Sequence, residues 1–150
     1  MRFVIQRVSN SDVTVENNVI GKINSGFLVL IGITNSDTKE IADAMVRKLI
    51  NLRVFKDNQD KMNLSIKDVN GSLLLVSQFT LYADCSHGNR PSFSNAAAPS
   101  FANDLYEYII SKCKEYNINV ETGKFGANMK VSILNDGPVT IILDSDKIIK

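Results

Sequence analysis

Two short, uninterrupted apolar segments restrict most strongly what this chain can fold into. They lie at residues 27–33 and at residues 73–76, within a longer stretch 72–78. Each has the length of a buried strand and is too short for a typical helix. The sequence therefore predicts two strands that lie inside a sheet.

Further strands are indicated by segments rich in Val, Ile and Phe. They are predicted at residues 2–9, 13–16, 120–125, 130–134 and 139–143. Asn17-Asn18 offers a hairpin turn after the second of these, and Asn70-Gly71 is a turn signal before residue 72.

Two helices are predicted from caps and apolar periodicity. Asp37 and Glu40 have the spacing of a capping box, and the apolar spacing that follows predicts a helix to about Arg53. Pro99 is suited to the start of a second helix. Its predicted apolar face is formed by Phe101, Leu105, Tyr108, Ile109 and Tyr116.

The remaining segments are predicted to be irregular. Residues 55–67 are polar and broken, residues 84–98 form the longest irregular stretch, and the polar tail 145–150 is expected to fray. The order of elements favours an α+β, or mixed α/β, sheet domain with its helices on one side. At this length, residues 1–150 are expected to form a single domain.

The composition is that of an ordinary globular protein, with 44% apolar and 22% charged residues. A formal net charge of +1 lacks the basic balance of many nucleic-acid binders, so any RNA contacts should be few and salt-sensitive. No apolar stretch approaches the roughly 18–20 residues that span a bilayer, and no secretory signal is apparent. Cys85 and Cys113 suggest no disulfide framework. We expect a cytoplasmic protein without membrane association.

Small polar groups stand at the ends of two predicted strands. Ser77, Gln78 and Thr80 follow the second apolar segment, and on a continuing strand Gln78 and Thr80 share one face. Gly137-Pro138 precedes the last predicted strand, where a turn with Pro at the first strand position is an ordinary arrangement. Hydroxyl groups that hydrogen-bond to their own backbone would explain the first segment, and a turn would explain the second. Strand ends are, however, also where a rigid scaffold holds catalytic groups.

Both segments resemble the signature motifs of D-aminoacyl-tRNA deacylases. The opening residues 1–8 and the stretch 88–93 are also similar, so the resemblance covers nearly the whole chain. It implies a compact barrel-like β-structure with two main helices, assembled as a homodimer. It also implies a cofactor-free hydrolase that acts on the 3′ end of aminoacyl-tRNA, including D-aminoacyl esters and glycine on a non-cognate tRNA.

The resemblance assigns a chiral filter to Gly137 and Pro138. In the family the peptide bond between these two residues is cis, and the segment projects into the active site of the partner subunit. Two backbone carbonyls would hold the substrate ammonium group, and an L side chain would collide with the main chain. The resemblance places Arg7 beside this segment and Met129 near the substrate pocket. The residues alone favour a solvent-facing or ion-paired Arg7 and a core Met129.

The catalytic candidates that the resemblance implies are Ser77, Gln78, Phe79 and Thr80. In one mechanism Thr80 attacks the ester, which requires a neighbouring base, and the only histidine is His87. In the other, backbone N–H groups near Phe79 and Thr80 form an oxyanion hole, and the substrate's ribose 2′-hydroxyl orients the water. The second is favoured because an aminoacyl ester is already activated and positioning can suffice.

Other features of the sequence point more weakly to other functions. Cys85 and His87 make too weak a pattern for a metal site, so none is predicted. Arg90 could contact phosphate, but Ser86 and His87 precede the glycine where the family often has basic residues. The alternative class is a non-catalytic dimeric binding module, and a general esterase that uses Thr80 is a third option.

Overall fold

The computed structural model describes residues 1–149, and they adopt an α+β architecture. In chain order the elements are β1 (Arg2–Val15), β2 (Asn18–Ile23), β3 (Gly26–Gly32), α1 (Lys39–Ile50), β4 (Phe55–Lys56), β5 (Met62–Leu64), β6 (Ser72–Ser77), a 3-10 helix (Phe79–Tyr82), α2 (Pro99–Lys114), β7 (Val120–Thr122), β8 (Lys130–Asp144) and α3 (Ser145–Ile148). The two predicted buried strands are confirmed as β3 and β6, which pair in parallel. Across these residues, no helix is long and apolar enough to cross a membrane.

The long strand β1 organises the sheet. Its first half pairs with β3, its second half pairs with β2, and β8 pairs antiparallel along nearly its whole length. The prediction of two strands at residues 2–9 and 13–16 is wrong, because this pairing continues between them. The hairpin turn lies at Glu16 and Asn17, both with positive φ, one residue earlier than predicted.

The sheet curls into a nearly closed barrel. From β1 it extends through β3, β6 and β7, while β2 bends back toward β7. At the closest approach, a Cβ atom on Gly21 would lie 2.6 Å from the carbonyl oxygen of Thr122, so glycine is required there. The predicted barrel-like sheet with two main helices is confirmed.

The sheet buries side chains on both faces, which explains the uninterrupted apolar segments. Phe27, Val29 and Leu75 belong to the core that the sheet shares with α1 and α2. Leu28 and Leu74 point the other way, into the barrel interior. Alternate residues therefore contribute to two separate cores. Full burial of one such side chain stabilises the fold by about 1.5–3 kcal/mol.

The start of α1 differs from the predicted capping box. Thr38 is the N-cap, and its Oγ1 accepts a hydrogen bond from the Ile41 N–H at 3.3 Å. Asp37, the predicted cap, is buried and accepts a hydrogen bond from the Met1 ammonium group at 2.6 Å. The helix ends at Ile50, short of the predicted end.

The predicted start of α2 at Pro99 is confirmed, but its buried face is rotated. Phe101, predicted to be buried, is 39% exposed. Tyr106 faces the sheet in place of Tyr108, and its hydroxyl donates to the Leu75 carbonyl at 2.7 Å. The buried side chains are Ala102, Leu105, Tyr106, Ile109, Ile110 and Cys113.

Two segments predicted to lack structure are partly regular. Residues 55–67 contain the short hairpin of β4 and β5. The tail forms α3 after β8, and Ser145 Oγ accepts a hydrogen bond from the Met1 ammonium group at 2.8 Å. The tail is therefore tied to the sheet, although Lys150 lies outside the described residues.

Candidate active site

Residues 77–80 lie where β6 gives way to the 3-10 helix. After Ser77, the Gln78 N–H still donates to the Ile31 carbonyl at 2.8 Å, and the chain then turns at Phe79. The prediction that Gln78 and Thr80 share a strand face is wrong, because the strand has ended. The two side chains meet nonetheless, since Gln78 Nε2 donates to Thr80 Oγ1 at 2.6 Å.

The surroundings of Thr80 bear on its chemistry. A nucleophilic threonine needs a base that removes its proton, whereas the Gln78 group that contacts its oxygen is a donor. His87 Nδ1 lies 2.8 Å from Ser86 Oγ in the exposed loop that follows. This arrangement favours a positioning role for Thr80 over attack on the substrate.

Phe79 links the 3-10 helix to the irregular stretch 84–98. Its side chain is 56% exposed and packs edge-on against Phe93, with ring centroids 5.0 Å apart. A bridge between Asp84 and Ser92 closes the stretch into a loop beside the 3-10 helix. Hydrogen bonds from the Ser86 hydroxyl and N–H hold the pKa of Asp84 below its usual value.

The loop shows no arrangement suited to metal binding. Cys85 and Arg90 are exposed, as are His87 and its neighbours. Throughout residues 1–149, no group of three or more His, Cys, Asp or Glu side chains could hold a metal ion.

The segment with Gly137 and Pro138 is a bulge inside β8, opposite Arg7. Val8 pairs with Asn135 and Gln6 pairs with Thr140, so the four residues 136–139 lie opposite a single residue of β1. The prediction of two strands, with a turn that starts the second, is wrong because β1 pairs with β8 on both sides of the bulge. The Gly137–Pro138 peptide bond is cis, as the resemblance implies, and both residues are exposed.

Arg7 holds one side of the bulge. Its side chain is buried, Nε donates to the Asp136 carbonyl at 2.9 Å, and Nη1 donates to the Val54 carbonyl at 2.5 Å. Both acceptors are backbone carbonyls, so the interpretation of a solvent-facing or ion-paired residue is wrong. Charge-assisted hydrogen bonds of this kind are short and strong, and they fix the main chain just before Gly137.

Asn135 holds the other side of the bulge, a role that sequence reasoning missed. Its Oδ1 accepts from the Val139 N–H at 2.8 Å, and its Nδ2 donates to the Val139 carbonyl at 3.1 Å. An amide side chain can satisfy both groups because it carries a donor and an acceptor. The signal was present in the motif, but an Asn at this spacing fits an ordinary turn equally well.

Gly137 needs to be glycine in this bulge. Its φ of 143° is rarely adopted by residues with a side chain, and a Cβ atom would lie 3.1 Å from Arg7 Nη2. The bulge therefore presents bare main chain at this position.

Met129 is partly buried and packs with the barrel interior. A Cβ atom on Gly123 would lie 2.7 Å from its Sδ and 3.7 Å from Val76, so Met129 is close to the end of β6. This is a core position near Val76, as the residues alone favour, and its placement near the substrate pocket stays a prediction.

Within one protomer the two segments stay apart. From Ser77 the sheet crosses from β6 to β3, β1 and β8, and Arg7 lies four residues along β1 from the row that contains Ser77. With ordinary sheet spacings, the path from Ser77 to the bulge is roughly 14 Å across the strands and roughly 13 Å along them. Along the sheet of one protomer, the two segments are therefore well separated.

The chain is similar to known proteins over nearly its whole length. A family model described as D-Tyr-tRNA(Tyr) deacylase matches residues 4–144. D-aminoacyl-tRNA deacylase of Clostridioides difficile (strain 630) is 57% identical over 98% of this chain and 99% of its own length. The protein of the same name from Thermosipho africanus (strain TCF52B) is 56% identical over 99% of both chains.

Solved structures show the same fold. The c-Myc DNA unwinding element binding protein superposes with a TM-score of 0.89 at 41% identity, over 96% of this chain and 98% of that one. A probable eukaryotic D-amino acid tRNA deacylase superposes with a TM-score of 0.79, and at 17% identity it supports the fold alone.

These matches show the class of the protein: it is an enzyme, a hydrolase. The alternative of a non-catalytic binding module is thereby set aside. The chain belongs to the D-Tyr-tRNA(Tyr) deacylase family.

Proposed function

We propose that the chain hydrolyses the ester bond between a D-amino acid and the terminal ribose of tRNA, which releases the free amino acid and tRNA. Membership of the deacylase family supports the reaction. The observation that carries its stereochemistry is the β8 bulge, in which Arg7 and Asn135 anchor the main chain on both sides of Gly137.

The chiral filter is the backbone of Gly137 and Pro138. Carbonyl oxygens there accept hydrogen bonds from the substrate ammonium group, a D side chain points away from them, and an L side chain collides with the main chain. Because no protein side chain reads the amino acid, the filter excludes L-amino acids in general. Glycine passes it, so glycyl-tRNA mischarged on a non-cognate tRNA is also a proposed substrate. These editing steps make the enzyme a proofreader of translation.

The filter operates in a homodimer, in which the bulge of one subunit completes the pocket at residues 77–80 of the other. The separation of the two segments within one protomer supports this proposal. The strand β8 supports it too, because within residues 1–149 it pairs with β1 alone and exposes Ile142 (64%) and Leu134 (54%). A long apolar edge strand is ordinarily covered by another element.

The chemistry is attack of water on the ester carbonyl, followed by cleavage of the bond to the ribose oxygen, which leaves with a proton. The N–H groups of Phe79 and Thr80 begin a helical turn, so they lack partners inside it and can stabilise the oxyanion. Ser77 and Gln78 position the terminal adenosine, and the ribose 2′-hydroxyl orients the water. No metal or cofactor takes part.

The proposed partner is the 3′ end of charged tRNA in the cytoplasm. With a net charge of +1, the protein has little general attraction for the phosphate backbone. Binding should therefore be modest in affinity and should weaken as salt is raised.

The decisive experiment compares deacylation of D-tyrosyl-tRNA and L-tyrosyl-tRNA by the purified protein, with and without a chelator. Rapid release from the D-ester alone, unaffected by the chelator, is the expected result. Equal rates on both esters would exclude the chiral filter. Turnover of simple activated esters with a trapped acyl-enzyme would favour a general esterase that uses Thr80.

A further inference from the structure

Arg2, at the start of β1, reaches the last two residues of the 3-10 helix, which begins with Phe79 and Thr80. Its Nη1 donates to the Leu81 carbonyl at 2.8 Å, and its guanidinium carbon lies 5.1 Å from the centroid of the Tyr82 ring. Its Nε and Nη2 donate to Asp144 Oδ2 at 3.0 and 2.8 Å. One side chain thus joins the beginning of β1, the end of β8 and the 3-10 helix.

The 3-10 helix needs such support because it is short. It has four residues, and its internal backbone bonds run from Leu81 to Gln78 and from Ala83 to Thr80, at 3.3 and 3.0 Å. Hydrogen bonds of this helix type have poor geometry and rarely persist over longer runs. Its orientation therefore depends on what holds it to the sheet.

Gly32 on β3 provides the seat on which the 3-10 helix rests. A Cβ atom there would lie 2.9 Å from Leu81 Cβ and 3.3 Å from the Tyr82 ring. Arg2 pairs with Gly32 in the sheet, so its side chain starts from the same row. The glycine lets the helix approach, and Arg2 holds it by a carbonyl and a ring.

We propose that Arg2 is a positioning residue for hydrolysis, which acts through Leu81 and Tyr82 to aim the Phe79 and Thr80 N–H groups at the substrate carbonyl. This inference rests on the proposed function, since it assigns those N–H groups to the oxyanion. Asp144 fixes the rotamer of Arg2 and so belongs to the same device. Because the proposal has Arg2 act through the 3-10 helix and not through a contact with tRNA, its loss should lower kcat and leave KM nearly unchanged.

The test compares Arg2→Gln and Arg2→Lys with the matched control Lys112→Gln. Lys112 likewise pairs with a carboxylate, Glu115 at 3.3 Å, and lies 5.6 Å from the Tyr108 ring centroid, but on α2. Lysine at position 2 keeps the charge beside Asp144, yet one nitrogen cannot reproduce the planar fork that reaches two acceptors. We expect kcat on D-tyrosyl-tRNA to fall about tenfold in both Arg2 variants, within the range known for small misplacements, with the control unchanged.

Hydrogen exchange provides a readout that needs no activity. Amides of residues 78–83 should exchange faster in both Arg2 variants, while those of β3 and β6 keep the wild-type rate. Unchanged exchange there, or a kcat equal to that of the control, would overturn the inference. Recovery of full kcat in Arg2→Lys would also overturn it, because charge alone would then suffice.

If Arg2→Gln does not fold, Asp144→Asn is the second variant, since it releases the guanidinium and keeps the side-chain shape. It should show the same local exchange and the same loss of kcat. A wild-type protein inactive on D-tyrosyl-tRNA would contradict the proposed function instead, and the exchange experiment would still decide whether Arg2 orders the 3-10 helix.

Discussion

Arg7 Nε donates a 2.9 Å hydrogen bond to the backbone carbonyl of Asp136, directly before the cis Gly137–Pro138 bond. The two residues are separated by 129 positions in sequence, and the contact joins the centre of β1 to the bulge of β8. A buried cation thus holds a main-chain segment that faces solvent.

Replacing Arg7 by Gln should weaken both the fold and the proposed chiral selection. The carbonyls of Val54 and Asp136 would lose their donors, and a buried group left unsatisfied costs about 1–3 kcal/mol in the free energy of unfolding. We expect the ratio of D- to L-tyrosyl-tRNA hydrolysis to fall about tenfold, because a slightly displaced bulge misplaces the substrate. Urea unfolding and paired deacylation assays measure both effects. The exposed Arg53, changed to Gln, is the control and should leave the ratio intact.

Replacing Pro138 by Ala should relax the rejection of L-esters or abolish activity. The residue is exposed on the bulge, so the overall fold should persist, which circular dichroism can check. If the variant keeps full activity on the D-ester and still rejects the L-ester, the backbone filter is wrong.

Replacing Thr80 by Ala should leave measurable hydrolysis of D-tyrosyl-tRNA. The Thr80 hydroxyl accepts a hydrogen bond from the Gln78 amide, and its loss removes a positioning contact worth about 0.5–1.5 kcal/mol. Single-turnover rates on the folded variant test this. Complete loss of activity would support Thr80 as the nucleophile.

Replacing Asn135 by Ala should loosen the bulge from the Val139 side. Asp at this position is the informative comparison, because it can accept from the Val139 N–H but cannot donate to the Val139 carbonyl. We expect the D-to-L ratio to fall most for Ala and less for Asp. Equal, wild-type ratios in both variants would show that Arg7 alone suffices to hold the bulge.

The pair of Arg2 and Asp144 should make stability fall in acid. Burial by itself raises the pKa of Asp144, but hydrogen bonds from Arg2 and the Asp146 N–H, with the charges of Arg2 and the N-terminal ammonium, bring the pKa below its usual value. A lowered pKa in the folded state stabilises the protein above the unfolded-state pKa of about 3.9 and loses that contribution as pH falls through the folded pKa.

The Asp144→Asn variant tests this linkage. Its deficit in the free energy of unfolding should be larger at about pH 7 than at about pH 3, where the wild-type carboxylate is being protonated. Asp60→Asn is the control, because the Lys56–Asp60 pair is exposed and such pairs contribute little. A deficit that does not change with pH would contradict the assignment.

The sequence predicted β3 and β6 well because their uninterrupted apolar residues serve two cores. It divided β8 in two because Gly and Pro signal a turn locally, whereas pairing with β1, more than 110 residues away, keeps the strand intact. Thr38 displaced Asp37 as helix cap because a distant ammonium group claims the carboxylate. Local patterns carry no trace of such partners.

The candidate site was predicted to a similar depth. The resemblance named residues 77–80 and the Gly-Pro segment, and the residues suggested a positioning role for Thr80. The residues that support the site could not be recognised from the sequence. Arg2 contacts Leu81 and Asp144, which are 79 and 142 positions away, and Asn135 fits an ordinary turn. The single domain, the homodimer and the role of each site residue stay predictions.

The bulge has a consequence for the solubility of the protein. At 15 residues, β8 would otherwise offer a long, straight row of unpaired backbone groups, the usual template for uncontrolled association of strands. Pro138 has no N–H to donate, and the bulge throws the two halves of the strand out of a common register. The element that we assign to substrate selection therefore also guards the edge of the sheet against aggregation.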